Sequence, residues 1–444
     1  MANVDRRTVL LALGAAALGV VERTSAGAPG PDSSFRVSLS LDPFTEQVLK
    51  GGVTYSDGTR RAGDTESLQR LYVAHGATEV YARIRTKNKV LGDGDHSIET
   101  GLERARLAKK LNLPFNPELG LWGTYGDMSG QPPPDFSDYP QLKVPGPWHT
   151  LSIDQMTPIL RGYGALVAEQ IMSTGVKVNY WDLGNEVNFG VAGVAISTFG
   201  GAGGETIFRG QPPYVAPDGV NREIGKMTVV KLRALSEQEQ GDWLSRNLWP
   251  YTGQMFAAVA EGVRSIDKSA KFSTHVGPVG ILYPELMLRF FQVHRDNGYL
   301  PDQLGTSYYP SIDSRMINPH VGLGSVDVLE GLKVLARRLN QGLKRGLFIA
   351  EFGYPASRDF TYGSEGSWVV PLHGYPLTPQ GQSDLTRDIT QWGAKTGLLT
   401  GLRPWAPSLC TLGWGPMSCF DLRGKLAVAR PSLDAMAQGL RRTA

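Results

Sequence analysis

Cysteine is almost absent: the 444 residues contain only Cys410 and Cys419. Both fall in one late loop region, so disulfides cannot provide the framework of the fold. A local bridge between them and a pair of free thiols both stay open. No Cys/His spacing matches a zinc site and the seven histidines are dispersed, so neither a metal nor a cofactor is expected. Charge of one sign is also lacking, because 45 Lys and Arg are interspersed with 42 Asp and Glu. The net charge of +3, without an arginine-rich run or a nucleic-acid module, argues against nucleic acid or an anionic membrane as partner. No internal repeat is visible, and no stable protein partner is implied.

The longest apolar stretch is short. Arg6-Arg7 precede an apolar run from Val9 to Val21 and a small-residue stretch through Ala26 and Ala28. Together they resemble a twin-arginine-type export signal over residues 1–28, with a retained anchor as the alternative. The run is too short to span a bilayer comfortably. An extracellular, periplasmic or cell-wall location follows as an expectation, and residues 29–444 remain as one domain.

Those remaining residues alternate strand-like and helix-like segments, the signature of an α/β fold, here a (β/α)8 TIM barrel. Strands are expected at Phe35–Leu41, Glu79–Arg85, Glu118–Thr124, before Glu186, at Lys271–His275 and Leu304–Tyr309, before Glu351, and at Thr400–Trp405. Helices are expected at Asp64–His75, from a Thr100/Glu103 capping box onward, and at Ile153–Ser173, Trp249–Ser265, Pro284–Asp296 and Val326–Leu343. Residues 190–235, Gly-rich at first and without continuous periodicity, read as a long inserted loop or small subdomain after strand 4.

Two strings carry chemistry. In Trp181-Asp182-Leu183-Gly184-Asn185-Glu186 and in Leu347-Phe348-Ile349-Ala350-Glu351, a glutamate ends an apolar run and residues of loop character follow. A barrel presents its reacting groups at this place. Two carboxylates roughly 5–5.5 Å apart can cleave a glycosidic bond with retention, one attacking the anomeric carbon and the other serving as acid and then base. Glu186 and Glu351 are the candidates. The amide of Asn185 suits a sugar 2-hydroxyl, a contact that strengthens as the oxocarbenium-like transition state develops.

Flanking residues offer further contacts. Arg83 and Arg85 share one strand face, so one of them could hold the nucleophile, and a plain barrel-end ion pair is the other reading. Of Tyr308 and Tyr309, adjacent on a strand, only one can face the site. Trp405 suits a stacking floor for a sugar ring or ordinary core packing. Tyr125 and Asp127, at the end of the third strand, are candidate substrate contacts, and the Pro- and Gly-rich segment 127–148 after them suits a sugar-lining loop or a surface excursion.

In this order along the chain, the strings resemble glycoside hydrolase family 53, the endo-β-1,4-galactanases of clan A. The resemblance rests on Gly184-Asn185-Glu186-Val187-Asn188 with Gly190, on Ser307-Tyr308-Tyr309-Pro310 and on Ile349-Ala350-Glu351-Phe352-Gly353-Tyr354-Pro355. It extends through Tyr375-Pro376-Leu377-Thr378-Pro379-Gln380-Gly381-Gln382, Gly401-Leu402-Arg403-Pro404-Trp405-Ala406-Pro407, Gly413-Trp414-Gly415 and Phe420-Asp421. It implies a retaining mechanism with Glu186 as acid/base and Glu351 as nucleophile. It also places one of Arg83 and Arg85 and one of Tyr308 and Tyr309 around the nucleophile, and His275 in the cleft. Thr124 stands where the family has a histidine, Ala406 where it tends to have Glu, and residues 190–235 have no counterpart of that length.

The expected substrate is a polysaccharide or oligosaccharide containing β-linked galactose. The alternatives are another clan A specificity (galactofuranan, mannan or arabinan, exo-acting if the insertion walls the cleft) and a catalytically silent carbohydrate-binding protein on the same scaffold.

Overall fold

The computed structural model describes residues 35–87, 96–196, 205–206, 214–314, 327–359, 368–411 and 413–441. The expected export signal and parts of the insertion lie outside the described residues.

Eight parallel strands form one sheet: β1 (Arg36–Val37), β2 (Val80–Ile84), β3 (Phe115–Leu119), β4 (Trp181–Leu183), β5 (Phe272–Val276), β6 (Gln303–Tyr308), β7 (Leu347–Phe352) and β8 (Leu399–Pro404). From β3 to β8 each strand pairs with its predecessor, and β1 pairs with β8, so β1 and β2 are the two ends of the sheet. The seam between β1 and β2 closes partly through side chains. Thr78 N–H donates to the Val37 carbonyl at 3.0 Å, Val37 N–H to the Thr78 hydroxyl at 3.0 Å, and Tyr81 N–H to the Ser40 hydroxyl at 2.9 Å. The result is the (β/α)8 barrel.

The helices that follow the strands around the barrel include α1 (Thr65–Ala74), α2 (Ile98–Lys110), α3 (Ile153–Ser173), α4 (Trp249–Ile266), α5 (Pro284–Asp296), α6 (Val328–Leu343), α7 (Pro379–Thr396) and α8 (Ala435–Arg441). Their starts follow from side chains that accept free N–H groups: Asp64 and Ser67 form a capping box for α1, Asp327 caps α6, and Thr378 followed by Pro379 opens α7. In α2 the cap is Ser97, which accepts from Thr100 N–H, so the helix begins before the Thr100/Glu103 box expected from the sequence. Helices α3 and α4 touch at Gly262, where a Cβ would lie 2.0 Å from the Arg161 carbonyl oxygen.

Three short elements elaborate the barrel. Strands Thr54–Ser56, Arg61–Ala62, Phe420–Arg423 and Leu426–Ala429 form a side sheet over Tyr55, Tyr72 and Phe420. After β4, Gly190–Val191 and Val194–Ala195 make a fully buried hairpin. Helices Arg222–Lys226 and Val229–Arg233 give the insertion ordered structure, and helix Glu237–Asn247 follows it before α4. Cys410 and Cys419 are buried free thiols.

The barrel interior is charged rather than aliphatic, which is unusual for this architecture. Arg36 makes a two-pronged pair with Glu79 at 2.8 and 2.9 Å, and its guanidinium lies 4.0 Å from the Phe348 ring centre. Arg403 donates to Asp182 at 2.9 Å and to Ser38 at 3.1 Å, stacks 3.8 Å over Tyr81, and stands 3.5 Å from Glu118. Asn116 is shared by both arginines. Every one of these charges is buried, so each depends on its partner. The stack ends at Arg83 on β2, at the mouth of the barrel.

Candidate active site

Both glutamates reach this mouth through irregular backbone. Glu186 follows β4 in a left-handed conformation, φ 49° and ψ 52°. Such strain in a non-glycine residue tends to gather at functional positions. Two residues earlier Gly184 has φ +76°, and a Cβ there would strike Val187 Cγ1 at 2.4 Å, so this turn requires glycine. On β7, Phe348 and Glu351 both point inward although strict alternation forbids that at a spacing of three. The β6–β7 register explains it: Thr306 pairs with Ile349 but Ser307 with Glu351, and this irregularity re-aims the carboxylate.

Arg83 joins the two sides. Its Nη2 donates to Glu351 Oε1 at 2.5 Å and to Asn185 Oδ1 at 2.9 Å, while its Nε is ion-paired with Glu118 on β3. Glu118 also accepts from the Tyr81 hydroxyl at 2.9 Å. Burial opposes the Arg83 charge, but Glu118, Tyr81 and Glu351 outweigh it and hold the guanidinium above its ordinary value. Trp405, half-buried, covers the guanidinium at 4.3 Å. The second oxygen of Glu351 accepts from the Tyr309 hydroxyl at 2.9 Å.

Of the paired candidates, Arg83 reaches Glu351, whereas Arg85 is buried beside His96 and its main-chain N–H donates to the His96 carbonyl at 2.9 Å. Tyr309 faces the site. Tyr308 is corrected as a substrate contact: it is turned outward by strand alternation, stacks on Phe352, and its hydroxyl donates to the Val328 carbonyl of α6 at 3.3 Å. His275 lies on the inner face of β5, packed against Gly305, and burial pushes its imidazole down to about 4, so it is neutral near pH 7.

The loop after β3 grips the Asn185 and Glu186 side of the mouth. Met128 N–H donates to Glu186 Oε2 at 3.3 Å, the Asn185 amide donates to Gly126 O at 2.8 Å, and Gln131 donates to the Asn185 carbonyl at 2.6 Å. Tyr125 lies 5.9 Å from the Arg83 guanidinium, and Asp127 accepts from Ser129 N–H at 2.7 Å. Farther along, segment 127–148 borders a groove of about 690 Å³ lined by Lys87, Thr124, Pro133, Leu142 and Val144, among others.

Electrostatics separate the carboxyl groups. Burial, then the charge of Glu351, then that of Asp127 push Glu186 up to about 8. Asp127 is itself raised to about 6, by burial first and by Glu351 as a charged neighbour. A carboxyl that keeps its proton at neutral pH can act as an acid, and a carboxylate oriented by a guanidinium and a phenol can act as a nucleophile.

Several residues at this mouth escaped the sequence reading. Glu118 was expected at the start of the third strand, whereas it lies near the end of Phe115–Leu119, close to the mouth. His96, stacked 5.8 Å from Tyr125, brings a histidine to this corner from a different connection, although Thr124 occupies the expected position. Trp368, half-buried, lies 5.1 Å from Tyr309, and nothing in its surrounding sequence marked it. Among the described residues, no group of three or more His, Cys, Asp or Glu side chains could hold a metal ion.

No protein-family model matches this chain, and no curated protein sequence does. Solved structures do. A GH53 catalytic domain from Ignisphaera aggregans is similar over 95% of this chain and 99% of its own, with TM-score 0.64 and 16% identity. A structure of fungal β-1,4-galactanases is similar over 90% of this chain and 98% of its own, with TM-score 0.61 and 15% identity. At such identities the likeness establishes the shared barrel, and the neighbours include the family that the sequence motifs resemble.

Proposed function

We propose that the chain is an exported, retaining glycoside hydrolase of the clan A type. It cleaves a β-linked, galactose-containing polysaccharide by double displacement, with Glu186 as acid/base and Glu351 as nucleophile. One observation carries this reading: a single guanidinium nitrogen of Arg83 bonds both Glu351 and the residue next to Glu186, at the strand ends of one barrel. The galactose preference is supported by the motif resemblance, and export by the twin-arginine-like sequence.

In the first half-reaction, Glu186 gives its proton to the leaving oxygen while a Glu351 oxygen attacks the anomeric carbon, so the glycosidic bond breaks as an ester forms. Arg83 and Tyr309 aim the attacking carboxylate. The Asn185 amide nitrogen spends one hydrogen on Gly126 O and has a second for a sugar 2-hydroxyl. Once Glu351 is esterified its charge vanishes, which removes the second cause of the raised Glu186 value. Glu186, a carboxylate since it gave up its proton, is no longer pushed toward the neutral form by that charge; it takes a proton from water, whose oxygen attacks the anomeric carbon and expels Glu351 as carboxylate. Trp405 supplies an apolar face for the ring, and the groove along segment 127–148 has room for sugars farther along a chain.

Incubation with purified galactan, galactofuranan, mannan and arabinan tests the reading, with proton NMR following the first-formed anomer. Cleavage of β-galactan with net retention is the expected result. Retention on another glycan alone would replace the substrate, and binding without cleavage of any would favour the silent carbohydrate-binding alternative.

A further inference from the structure

Among the buried polar groups around the mouth, Ser307 has no role in the mechanism above. It lies on the inner face of β6, fully buried, immediately after the irregularity that sets it opposite Glu351. Strand alternation sends Tyr308 outward and brings Tyr309 back in, so Ser307 shares the face from which Tyr309 bonds the nucleophile. Its hydroxyl has no hydrogen bond of good geometry. A buried hydroxyl without a partner is costly, and such groups in native proteins call for an explanation. The group it acts on is Glu186, where its effect favours the ionised carboxylate and opposes the burial and the charges of Glu351 and Asp127.

We propose that Ser307 is a positioning residue for Glu186: its hydroxyl donates a hydrogen bond to the ionised carboxylate and thereby serves the half-reaction in which Glu186 acts as base. The inference rests on the retaining mechanism above. Glu186 does accept a hydrogen bond from the Met128 N–H, a group that can only donate. A hydroxyl differs, because it rotates to accept from the protonated acid and to donate to the carboxylate. Glu186 must hold both states within one catalytic cycle, and a hydroxyl that turns about its own bond can serve each.

The test removes one oxygen with Ser307→Ala. With Glu186 deprived of a donor to its ionised form, the basic limb of kcat/KM moves to higher pH. The hydrolysis of a trapped glycosyl-enzyme, measured as reactivation after a 2-fluoro-glycoside inactivator, slows on the order of tenfold at neutral pH. At pH 6, where Glu186 is already protonated in the free enzyme, kcat/KM stays within about twofold of wild type. Ser307→Cys, of similar volume and with a weaker donor, falls between. A turnover-independent readout is the carbon-13 titration of labelled glutamate carboxyls, with the Glu186 signal identified by its loss in Glu186→Gln. In Ser307→Ala this titration moves upward.

A wild-type protein that hydrolyses no glycoside would defeat the glycosidase reading, yet the carbon-13 titration would still report on Ser307. An active wild type whose basic limb, reactivation rate and Glu186 titration are all unchanged by Ser307→Ala would overturn this inference alone. A uniform fall in kcat/KM across pH, with no shift of the limb, would also overturn it and assign Ser307 to packing.

Discussion

Nη2 of Arg83 donates to Oε1 of Glu351 at 2.5 Å, and the same nitrogen also holds Asn185. Only a planar fork pinned at Nε by Glu118 can present that nitrogen in this way. Arg83→Lys keeps the charge and loses the fork. Its kcat/KM should fall about 10²–10³-fold with an unchanged circular dichroism spectrum. A loss below tenfold would show that charge alone suffices.

The raised Glu186 value predicts a basic limb near pH 8 in kcat/KM, because glycosylation needs its proton. Asp127 is one of the charges holding that value up. Asp127→Asn removes the charge, Glu186 ionises more easily, and the limb moves to lower pH. A pH–rate profile of the two proteins on one aryl glycoside checks the direction, and a limb that stays put or rises contradicts it.

The glutamates and the barrel were legible in the sequence because each Glu ends a short apolar run and because the strand and helix periods alternate. What stayed hidden has identifiable causes. The third strand was expected at Glu118–Thr124 and lies at Phe115–Leu119, since Pro114 and Pro117 read as loop although Pro117 sits within a paired barrel strand. Alternation separated Tyr308 from Tyr309 but could not place Phe348 and Glu351 on one face, because a register shift between strands leaves no mark in either string. The side sheet is built of strands of two to four residues, too short for a period to show. Helices α7 and α8 were likewise not drawn, although Thr378-Pro379 is a clear start signal.

A buried carboxyl that keeps its proton on folding costs stability as pH rises. Unfolded Glu186 ionises near 4.5, whereas in the folded protein it holds its proton to about 8. The unfolded state therefore releases a proton first, and the wild type loses stability as pH rises from about 4.5 to about 8. A glutamine never ionises. Glu186→Gln should melt higher than the wild type at pH 8 and at nearly the same temperature at pH 4, by calorimetry at both. An equal difference at the two pH values would contradict the assignment.

The charged interior is strongly coupled. Arg403→Met would leave Asp182 and Glu118 buried with one partner fewer. Loss of about 3–5 kcal/mol is expected, read as a fall in melting temperature on the order of 10 °C. A change below about 1 kcal/mol would mean that water reaches these groups.

The most direct measurement of the central claim is turnover by Glu351→Ala with and without sodium azide. The account predicts that hydrolysis is abolished and that azide restores part of it on an activated β-glycoside, yielding the α-glycosyl azide. Wild-type turnover in Glu351→Ala would contradict the account.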